Sequence, residues 1–418
     1  MTNKMVPEIR FDGFRGEWEK LKFEKLLDPK DGVRRGPFGS ALKKDIFVSK
    51  SDYVVYEQYN AIYDNYQTRY NITKEKYEEL KNFALHEGDF ILSGAGTIGK
   101  ISRVPKGIKP GVFNQALIRF RINREITDSE FFIQFVRSDD MQRYLTSSNA
   151  GSAMTNLVPM SEVKKWSINI PEKKEQQKIG EFFKNLDDRI ALQQQQIKSL
   201  KESKQGFLQK LFPKDGERVP EVRFDGFSEE WEQRELGEIS KKITKKNKDK
   251  KYLETLTNSA ELGVISQAEY FDKQISNDAN IDGYYVVSPN DFVYNPRISK
   301  HAPVGPIKRN KLNRTGVMSP LYYIFTVQEI DKVFIEKYFE TVYWHKFMKL
   351  NGDSGARSDR LAIKDSVFKL MPIPYPSIEE QQKIGEFFKN LDDAIEAHEK
   401  ELELLQETKK GFLQKMFV

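Results

Sequence analysis

The chain has 418 residues, which is too long for one ordinary core and enough for two domains. Its 68 Lys and Arg residues against 62 Asp and Glu residues give a net charge of +6, too small by itself to indicate a nucleic-acid partner. The absence of cysteine excludes disulfides, thiolate nucleophiles and the usual structural zinc sites. Because the chain has no long apolar stretch and no apolar leader in its first residues, we expect a cytoplasmic protein that does not cross a membrane.

The sequence contains an internal repeat, which sets the domain organisation. Residues 6–19 return as 219–232, and residues 175–188 return as 380–393 with all 14 residues identical. In both copies an opening segment is followed by a variable block and then by the shared segment. We therefore expect four parts: a first domain (1–172), a first helix (173–212), a second domain (213–376) and a second helix (377–418).

Both variable blocks predict a mixed α/β domain. Runs rich in aromatic and β-branched residues come first and predict strands, and a later stretch with helical periodicity predicts a helix. A last apolar strand ends in proline in both blocks, so the blocks are interpreted as diverged copies of one fold. The predicted strands are 53–59, 89–93 and 166–171, then 283–287, 291–295, 321–325 and 368–374; the predicted helices are 128–145 and 332–350.

A glycine-rich segment, residues 94–99, matches the G-x-G-x-x-G pattern of dinucleotide sites and is one residue short of a P-loop. Either nucleotide site needs a helix next, because the helix N-terminus holds the phosphate. The following residues are strand-like and contain prolines, and the second block places Gly305 and Pro306 where Gly99 and Lys100 stand. We therefore predict a β-hairpin loop. A nucleotide-binding enzyme that uses residues 94–100 is kept as an alternative.

No catalytic constellation is predicted. A DNA methyltransferase of this size needs a glycine-rich AdoMet loop and an N/D-P-P-Y/F or P-C motif, and the nearest segment, residues 295–298 (NPRI), lacks the second proline and the aromatic residue. The E-x-K triplets that resemble parts of metal nucleases are too common in this chain to be informative. The four histidines are scattered, so neither a metal site nor a catalytic triad is expected.

Positive charge is concentrated in loops of both blocks. Residues 241–251 carry seven lysines and one aspartate, and residues 295–314 carry no acidic residue. Because Arg and Lys neutralise phosphates while Arg, Asn and Ser contact base edges, we predict that these loops bind DNA; solvated loop charge is the alternative. The candidate DNA-binding residues are Arg34, Arg35, Ser40, Lys43, Lys44, Thr97, Lys100, Thr155, Asn156, Lys245, Lys246, Asn247, Arg297, Lys300, His301, Arg309, Arg357, Ser358 and Arg360.

The shared segments predict two long helices that pair as a coiled coil. Apolar residues recur at alternating spacings of four and three, the pattern of heptad a and d positions. Among the polar residues that interrupt the seam, Gln193 and His398 lie near the midpoints, where antiparallel pairing would bring them together. Ser377 with Glu380 predicts a capping box. The predicted seam consists of Ile179, Phe183, Leu186, Ile190, Gln193, Ile197, Leu200, Ile384, Phe388, Leu391, Ile395, His398, Leu402 and Leu405.

Two variable blocks, each followed by a long helix that opens with P-x-x-x-E-Q-Q-K-I (171–179 and 376–384), resemble the specificity subunit of type I restriction–modification enzymes. The segments GDFILSGAGTIGK, GYYVVSPNDFVYN and GPFGSALKK also resemble that family's target recognition domains. The resemblance covers nearly the whole chain. It implies an α/β (α+β) fold with two tandem, pseudo-symmetric target recognition domains separated by a long antiparallel two-helix coiled coil.

The resemblance also implies a function. Each target recognition domain would read one half of a split, asymmetric site in double-stranded DNA, and the helix pair would set the spacing. Two methyltransferase subunits and the restriction subunits would be the partners. The chain itself would be non-catalytic and bind no cofactor, with AdoMet in the adenine methyltransferase subunits and ATP and Mg²⁺ in the restriction subunits. A DNA-binding or assembly protein without a methyltransferase partner, and an enzyme acting alone, are the alternatives.

Overall fold

The structure is a computed structural model that describes residues 5–37, 41–146, 163–214, 216–271, 281–353 and 359–418. The chain forms two compact units. Unit 1 comprises residues 1–194 and 400–418, and unit 2 comprises residues 195–399. Each unit therefore holds one variable block together with a part of each long helix.

The elements of the first half are β1 (Glu19–Lys22), β2 (Val33–Arg35), β3 (Tyr53–Tyr56), α1 (Gln58–Tyr63), β4 (Tyr70–Ile72), α2 (Lys74–Glu79), β5 (Phe90–Ser93), β6 (Ile101–Arg103), β7 (Gly111–Phe113), β8 (Leu117–Phe120), α3 (Ser129–Arg137), α4 (Asp139–Thr146), β9 (Ser167–Ile170) and the long helix α5 (Lys173–Lys210). Those of the second half are β10 (Glu232–Glu235), β11 (Ser240–Lys242), β12 (Leu256–Ser259), β13 (Gly263–Ser266), α6 (Gln267–Phe271), β14 (Tyr285–Val287), β15 (Phe292–Tyr294), β16 (Ile307–Arg309), β17 (Gly316–Met318), β18 (Tyr323–Val327), α7 (Lys332–Glu340), α8 (His345–Asn351), α9 (Asp365–Phe368), β19 (Pro372–Tyr375) and the long helix α10 (Ile378–Lys415).

Unit 1 is built on a four-stranded antiparallel sheet with the strand order β2-β8-β5-β6. Phe90 of the central strand β5 pairs with Phe120 of β8 on one side and with Arg103 of β6 on the other. A second sheet, with the order β4-β3-β7, includes the parallel pair β3–β7. All four residues of β5 are buried, which explains why its sequence is an unbroken run rather than an alternation of apolar and polar residues.

Unit 2 repeats the four-stranded sheet with the order β11-β18-β15-β16. Phe292 of β15 pairs with Phe325 of β18 and with Arg309 of β16, as Phe90 does with its two neighbours in unit 1. The smaller pairs are β12–β13, β14–β17 and β10–β19. The prediction of two diverged copies of one mixed α/β domain is therefore confirmed.

The helices predicted at 128–145 and 332–350 are each divided into two. In unit 1 the hydroxyl of Ser138 donates to the carbonyl of Phe135 at 2.7 Å, directly after α3. In unit 2 the hydroxyl of Thr341 donates to the carbonyl of Tyr338 at 2.7 Å, directly after α7. A hydroxyl that bonds to the nearby backbone competes with continuation of a helix. The prediction of one continuous helix is therefore wrong at the same place in both blocks.

The long helices α5 and α10 have 38 residues each and run antiparallel. Within unit 1, Phe182 packs on Phe412 with ring centroids 4.9 Å apart, and further along Gln193 donates to Glu401 at 2.5 Å. All predicted seam residues are buried or half-buried. The hydrogen bond expected between Gln193 and His398 is not made: Gln193 bonds to Glu401 instead, and the buried Nδ1 of His398 has no hydrogen-bond partner among the described residues.

Two ion pairs occupy matching positions in the helix pair. In unit 1, Lys409 of α10 lies 2.5 Å from a carboxylate oxygen of Asp187 on α5. In unit 2, Lys204 of α5 lies 2.7 Å from a carboxylate oxygen of Asp392 on α10. Both lysines stand where the heptad pattern calls for an apolar residue. The carboxylates that face them explain why lysine is accepted at these positions.

The identical 14-residue segment starts each long helix, and its glutamate is fixed by an arginine from the opening segment. Glu175 accepts two hydrogen bonds of 2.7 Å from Arg10. Its counterpart Glu380 accepts bonds of 2.7 and 2.8 Å from Arg223. The backbone N–H of Glu380 donates to the hydroxyl of Ser377 at 3.3 Å. However, the Glu380 carboxylate is turned to Arg223, so only one half of the predicted capping box is formed.

Two further residues of this segment hold the domain on the helix. Gln176 is buried and accepts the N–H of Asp128, the N-cap of α3, at 2.9 Å. A Cβ on Gly180 would lie 2.6 Å from a backbone nitrogen of α3, so only glycine permits this close approach. Gln381 and Gly385 make the corresponding contacts with Asp331 in unit 2.

Each unit contains the start of one long helix and the C-terminal end of the other. That C-terminal end completes the hydrophobic core of the unit. In unit 1, Phe417 of the C-terminal segment packs on Phe131 of α3 with ring centroids 5.6 Å apart. In unit 2, Phe212 packs on Phe334 of α7 with ring centroids 5.3 Å apart. All four side chains are buried. Each block therefore shares its hydrophobic core with both long helices.

Candidate nucleic-acid interface

Several loops of unit 1 leave the sheets at one edge, which we call the loop edge. Three strands of the four-stranded sheet end or begin next to each other at this edge. Strand β5 ends there at Ser93, β2 ends there at Arg35, and β6 begins there at Ile101. The parallel pair β3–β7 ends nearby, where the N–H of Asn114 donates to the carbonyl of Tyr56 at 2.9 Å. The fold thus gathers loops that are far apart in sequence, as binding surfaces on rigid sheets commonly require.

The glycine-rich segment forms the loop of the hairpin β5–β6, as predicted. A strand follows it, so no helix N-terminus is available there for a phosphate. Gly99 has a φ of +86°, and a Cβ would lie 2.3 Å from the side-chain oxygen of Gln142. The matching Gly305 has a φ of +83°, and a Cβ would lie 2.2 Å from the carbonyl oxygen of Asn295. The hairpin turn itself therefore accounts for these glycines.

Of the predicted DNA-binding residues of unit 1 that the structure describes, all but one are exposed. Arg34 is the exception: it is half-buried and donates to Asp31 at 2.8 Å, so we assign it a structural role and remove it from the DNA-binding set. The others lie at the loop edge or in the loop that follows β2, and their cations form no ion pair with a described residue. The exposed residues are Arg35, Lys43, Lys44, Thr97 and Lys100.

Unit 2 has the equivalent loop edge. Tyr294, the last residue of β15, pairs with Tyr323 at the start of β18 and with Ile307 at the start of β16. Strand β14 begins and β17 ends there as well, where Tyr285 pairs with Met318. The long basic loop after β15 therefore leaves from the same edge as the loop after β5 in unit 1.

Two arginines stand side by side at the loop edge of unit 2. Arg297 and Arg360 are partners in an isolated antiparallel bridge, and the flanking residues make its two hydrogen bonds, of 2.8 and 2.9 Å. In such a non-hydrogen-bonded pair the side chains share one face and approach closely. Like charges placed opposite each other are destabilising. Asp359, 3.7 Å from Arg297, offsets one of the two charges, so the pair is suited to a polyanion.

The lysine-rich segment of unit 2 also reaches this edge. Lys246 forms an antiparallel bridge with Tyr285, and Lys245 precedes it; both lysines are exposed. The prediction that Asn247 contacts DNA is wrong. It is fully buried, and its amide donates to the carbonyl of Tyr252 at 2.7 Å, so it closes the turn rather than facing a ligand.

Lys300 and His301 are exposed in the loop between β15 and β16, and Nε2 of His301 lies 3.5 Å from Glu261 of the β12–β13 turn. Five predicted residues lie outside the described part of the chain, so nothing is said of their positions. These are Ser40, Thr155, Asn156, Arg357 and Ser358.

Arg309 must also be removed from the predicted DNA-binding set. It lies at the far end of β16, where it pairs with Phe292 at the start of β15, and so at the edge opposite the loops. Its guanidinium donates to Glu336 of α7 at 2.6 Å, and the ion pair is largely buried. The sequence shows that residues 295–314 are basic, but it does not show that these residues are divided between two opposite edges of the sheet.

The sequence interpretation missed one element of the loop edge in each unit. Helix α1 follows β3 in unit 1, and its first residue, Gln58, donates to the carbonyl of Ala95 in the hairpin loop. Residues 260–262 form the corresponding turn after β12 in unit 2. The sequence predicted one strand over residues 53–59, but the structure ends β3 at Tyr56 and places Gln58 and Tyr59 in α1, so the end of that prediction is wrong.

Other classes of site are not indicated by the described residues. Among them, no group of three or more His, Asp or Glu side chains is placed to hold a metal ion. No described helix is long and apolar enough to cross a membrane. A cavity of about 840 Å³ in unit 1 lies between α3 and the start of α5, away from the loop edge, and its lining mixes acidic and basic side chains.

Comparison with known proteins identifies the family. The profile of the type I restriction modification DNA specificity domain matches residues 38–202 and again 228–407. The chain belongs to this family. The two matches fall on the two halves of the internal repeat, so each half of this specificity-domain protein carries one copy of the family's domain.

Two curated relatives come from Methanocaldococcus jannaschii. The putative type I restriction enzyme MjaX specificity subunit is 24% identical over 364 residues, which cover 81% of this chain and 79% of the relative. The type I restriction enzyme MjaVIII specificity subunit is 24% identical over 353 residues, which cover 80% and 79%.

Solved structures of specificity subunits have the same fold. The S subunit of a type I restriction–modification system from M. genitalium matches with a TM-score of 0.60 at 15% identity, covering 99% of both chains. A chain from a structural study of complex assembly and conformational transition in the type I restriction–modification system matches with a TM-score of 0.52 at 17% identity, covering 95% of this chain and 96% of that one.

Proposed function

We propose that the chain is the DNA-sequence specificity subunit of a type I restriction–modification enzyme, and that each unit reads one half of a bipartite, asymmetric site in double-stranded DNA. The observation that carries this proposal is the repeated loop edge. Both units gather exposed cations at the equivalent edge of the equivalent four-stranded sheet. The side chains there differ between the units, so the two half-sites should differ in sequence.

The positive charges at the loop edges are suited to a polyanion such as duplex DNA. Lys100 and Arg35 in unit 1, and Arg297 and Arg360 in unit 2, are candidates for phosphate or base contacts. The helix pair would set the spacing between the half-sites, because it is the part of the chain that the two halves share.

The partner proposal is supported by the exposed residues of the identical segment. Internal contacts account for buried residues such as Glu175, Gln176 and Gly180. Six other positions are exposed in both copies and nevertheless identical: Gln177, Lys178, Glu181, Lys184, Asn185 and Asp188, matched by Gln382, Lys383, Glu386, Lys389, Asn390 and Asp393. Two identical exposed surfaces fit two copies of the same partner, which we propose to be the methyltransferase subunit; restriction subunits would join that complex.

The chain would then contribute recognition and assembly rather than chemistry. AdoMet would be bound by the methyltransferase subunits, which methylate adenine, and ATP and Mg²⁺ by the restriction subunits. A reconstitution separates this proposal from its alternatives. Methyl transfer to DNA should require both the chain and its methyltransferase partner. Transfer by the chain alone would indicate an enzyme. A chain that binds DNA but neither co-purifies with a methyltransferase subunit nor supports its activity would indicate a DNA-binding or assembly protein.

DNA binding is tested most directly by the salt dependence of affinity. Replacing both Arg297 and Arg360 with alanine should weaken cognate binding and reduce the slope of log K against log salt by about two, because two phosphate-neutralising charges are removed. Lys100→Ala should reduce it by about one. Lys198→Ala, which removes an exposed lysine of α5, is the matched control. Equal slopes for all three variants and the wild type would contradict the proposed interface.

The stoichiometry is tested by charge reversal on the two identical surfaces. Glu181→Lys and Glu386→Lys change the same position in the two copies. Each variant should lose one methyltransferase subunit, and the double variant should lose both, as measured by native mass spectrometry. A single reversal that removes both subunits, or a double reversal that removes none, would contradict two independent docking surfaces.

A further inference from the structure

The segment that follows the third strand of each unit lies at the loop edge but has a different structure in the two units. In unit 1 this segment is the helix α1. In unit 2 it is the tight turn of residues 260–262 between β12 and β13. The preceding strands correspond, since β3 pairs in parallel with β7 and Thr255 before β12 forms a parallel bridge with Val317 of β17. The same place in the fold is therefore occupied by a helix in unit 1 and by a tight turn in unit 2.

Helix α1 is firmly attached to the hairpin loop. The side chain of Gln58 donates to the carbonyl of Ala95 within that loop. At the helix start, the backbone N–H of Glu57 donates to the side chain of Asn60 at 2.6 Å, which completes a capping box. Asn60 is buried and also donates to the carbonyl of Asn65 at 2.6 Å, so the orientation of the short helix is fixed.

This fixed helix presents two aromatic rings to solvent. Tyr59 is 49% exposed and Tyr63 is 67% exposed, and their ring centroids are 4.9 Å apart. Exposed aromatic pairs on a rigid support are typical of recognition surfaces, because two stiff rings lose little conformational entropy on binding. Lys100, an exposed cation at the end of the hairpin loop to which α1 is bonded, has no ion pair with a described residue, which favours an anionic partner over a second apolar protein face.

The turn in unit 2 is attached in a similar way. Asn258 donates to the carbonyl of Val293 at 2.7 Å, and Asn295 donates to the carbonyl of Asn258 at 2.9 Å, so the end of β12 is joined to the basic loop. At the tip of the turn, Leu262 is 64% exposed. It follows Glu261, which lies 3.5 Å from His301 of the basic loop.

We propose that these segments are the second reading element of each unit: Tyr59 and Tyr63 contact base edges in the half-site of unit 1, and Leu262 does so in that of unit 2. This inference rests on the proposed function. Apolar side chains distinguish bases through the methyl group of thymine in the major groove, so each contacted position should contain an A·T pair. The different segments would contribute to the asymmetry of the site.

The test is methylome sequencing with the full methyltransferase complex. Tyr59→Ala combined with Tyr63→Ala should make at least one position of the unit 1 half-site degenerate, with discrimination there reduced about tenfold or more. Alanine favours helix more than tyrosine does, so α1 should still form. Tyr59→Phe combined with Tyr63→Phe keeps the rings and should keep the wild-type site. Leu262→Ala should relax the other half-site only.

Three results would overturn the inference. They are an unchanged half-site in the alanine variant, equal loss of affinity for cognate and non-cognate DNA, and loss of methyltransferase binding with sequence discrimination intact. The last would assign the rings to a protein partner. Failure of the wild-type complex to methylate any specific sequence would instead contradict the proposed function, so the two failures are distinguishable.

Discussion

A buried carboxylate in unit 2 gives a sharp test of the packing. Asp291, directly before β15, is 6% exposed, and burial raises its pKa from 3.8 to about 6. The corresponding Asp89 of unit 1 is 2% exposed but accepts hydrogen bonds of 2.8 and 2.9 Å from Arg121. In unit 2, Thr326 stands at the position of Arg121, so Asp291 has no ion pair among the described residues.

The sign and size of the effect follow from this pKa. A carboxyl whose pKa is higher in the folded chain contributes stability only at low pH, and this contribution is lost as the pH rises through about 6. The gap between 3.8 and about 6 corresponds to about 3 kcal/mol at pH 7.5. We therefore expect Asp291→Asn to stabilise unit 2 by up to about 3 kcal/mol at pH 7.5 and by about half of that at pH 5.

The measurement is urea unfolding of the full chain and its variants at both pH values. Taking the difference between variant and wild type at each pH removes the contribution of the other titrating groups. Asp89→Asn is the control. It should destabilise unit 1 because the guanidinium of Arg121 would lose its ion pair with the buried carboxylate of Asp89. Equal stability of Asp291→Asn and the wild type at pH 7.5, or a larger gain at pH 5, would refute the reasoning.

Two further predictions use matched pairs of residues. Gly180→Ala should destabilise the chain by about 1–3 kcal/mol in urea unfolding, since the added carbon lies 2.6 Å from backbone, whereas Gly206→Ala in the same helix meets no atom within 4 Å and should be neutral or stabilising. Arg309→Ala should cost about 1–3 kcal/mol of stability, because the buried Glu336 loses its guanidinium partner and keeps only Lys311, at 3.5 Å, and the salt slope of DNA binding should stay unchanged. Arg297→Ala should reduce the salt slope by about one and leave the stability nearly unchanged. A neutral Gly180→Ala with a destabilising Gly206→Ala would contradict the described helix packing. A reduced salt slope for Arg309→Ala with an unchanged slope for Arg297→Ala would contradict the assignment of the interface.

The frame of the molecule was predictable from the sequence because it depends on periodicity. The heptad spacing from Ile179 and Ile384 specifies two long helices, and the repeat specifies two copies of one domain. The breaks at Ser138 and Thr341 were not predictable in this way, because apolar periodicity continues across them. They depend on one hydroxyl bonding to the backbone in each case.

The candidate interface was predictable only in part, because composition does not tell which end of a strand a residue occupies. Arg297 and Arg309 belong to the same basic segment, yet they lie at opposite ends of the β15–β16 hairpin. Asn247 has the same polarity as a base-reading residue and is used to close a turn. The ion pair of Arg10 with Glu175 joins residues 165 positions apart, and no local pattern indicates it.

The central claim, that each unit independently reads one half-site, is tested most directly by exchanging one block. Residues 238–375 would be replaced with the corresponding block of another family member, keeping Asp331 so that its contact with Gln381 of α10 is retained. Methylome sequencing of the hybrid complex should show one half-site changed, with the other half-site and the spacer length as in the wild type. Simultaneous change of both half-sites, or a change of the spacer alone, would contradict the account.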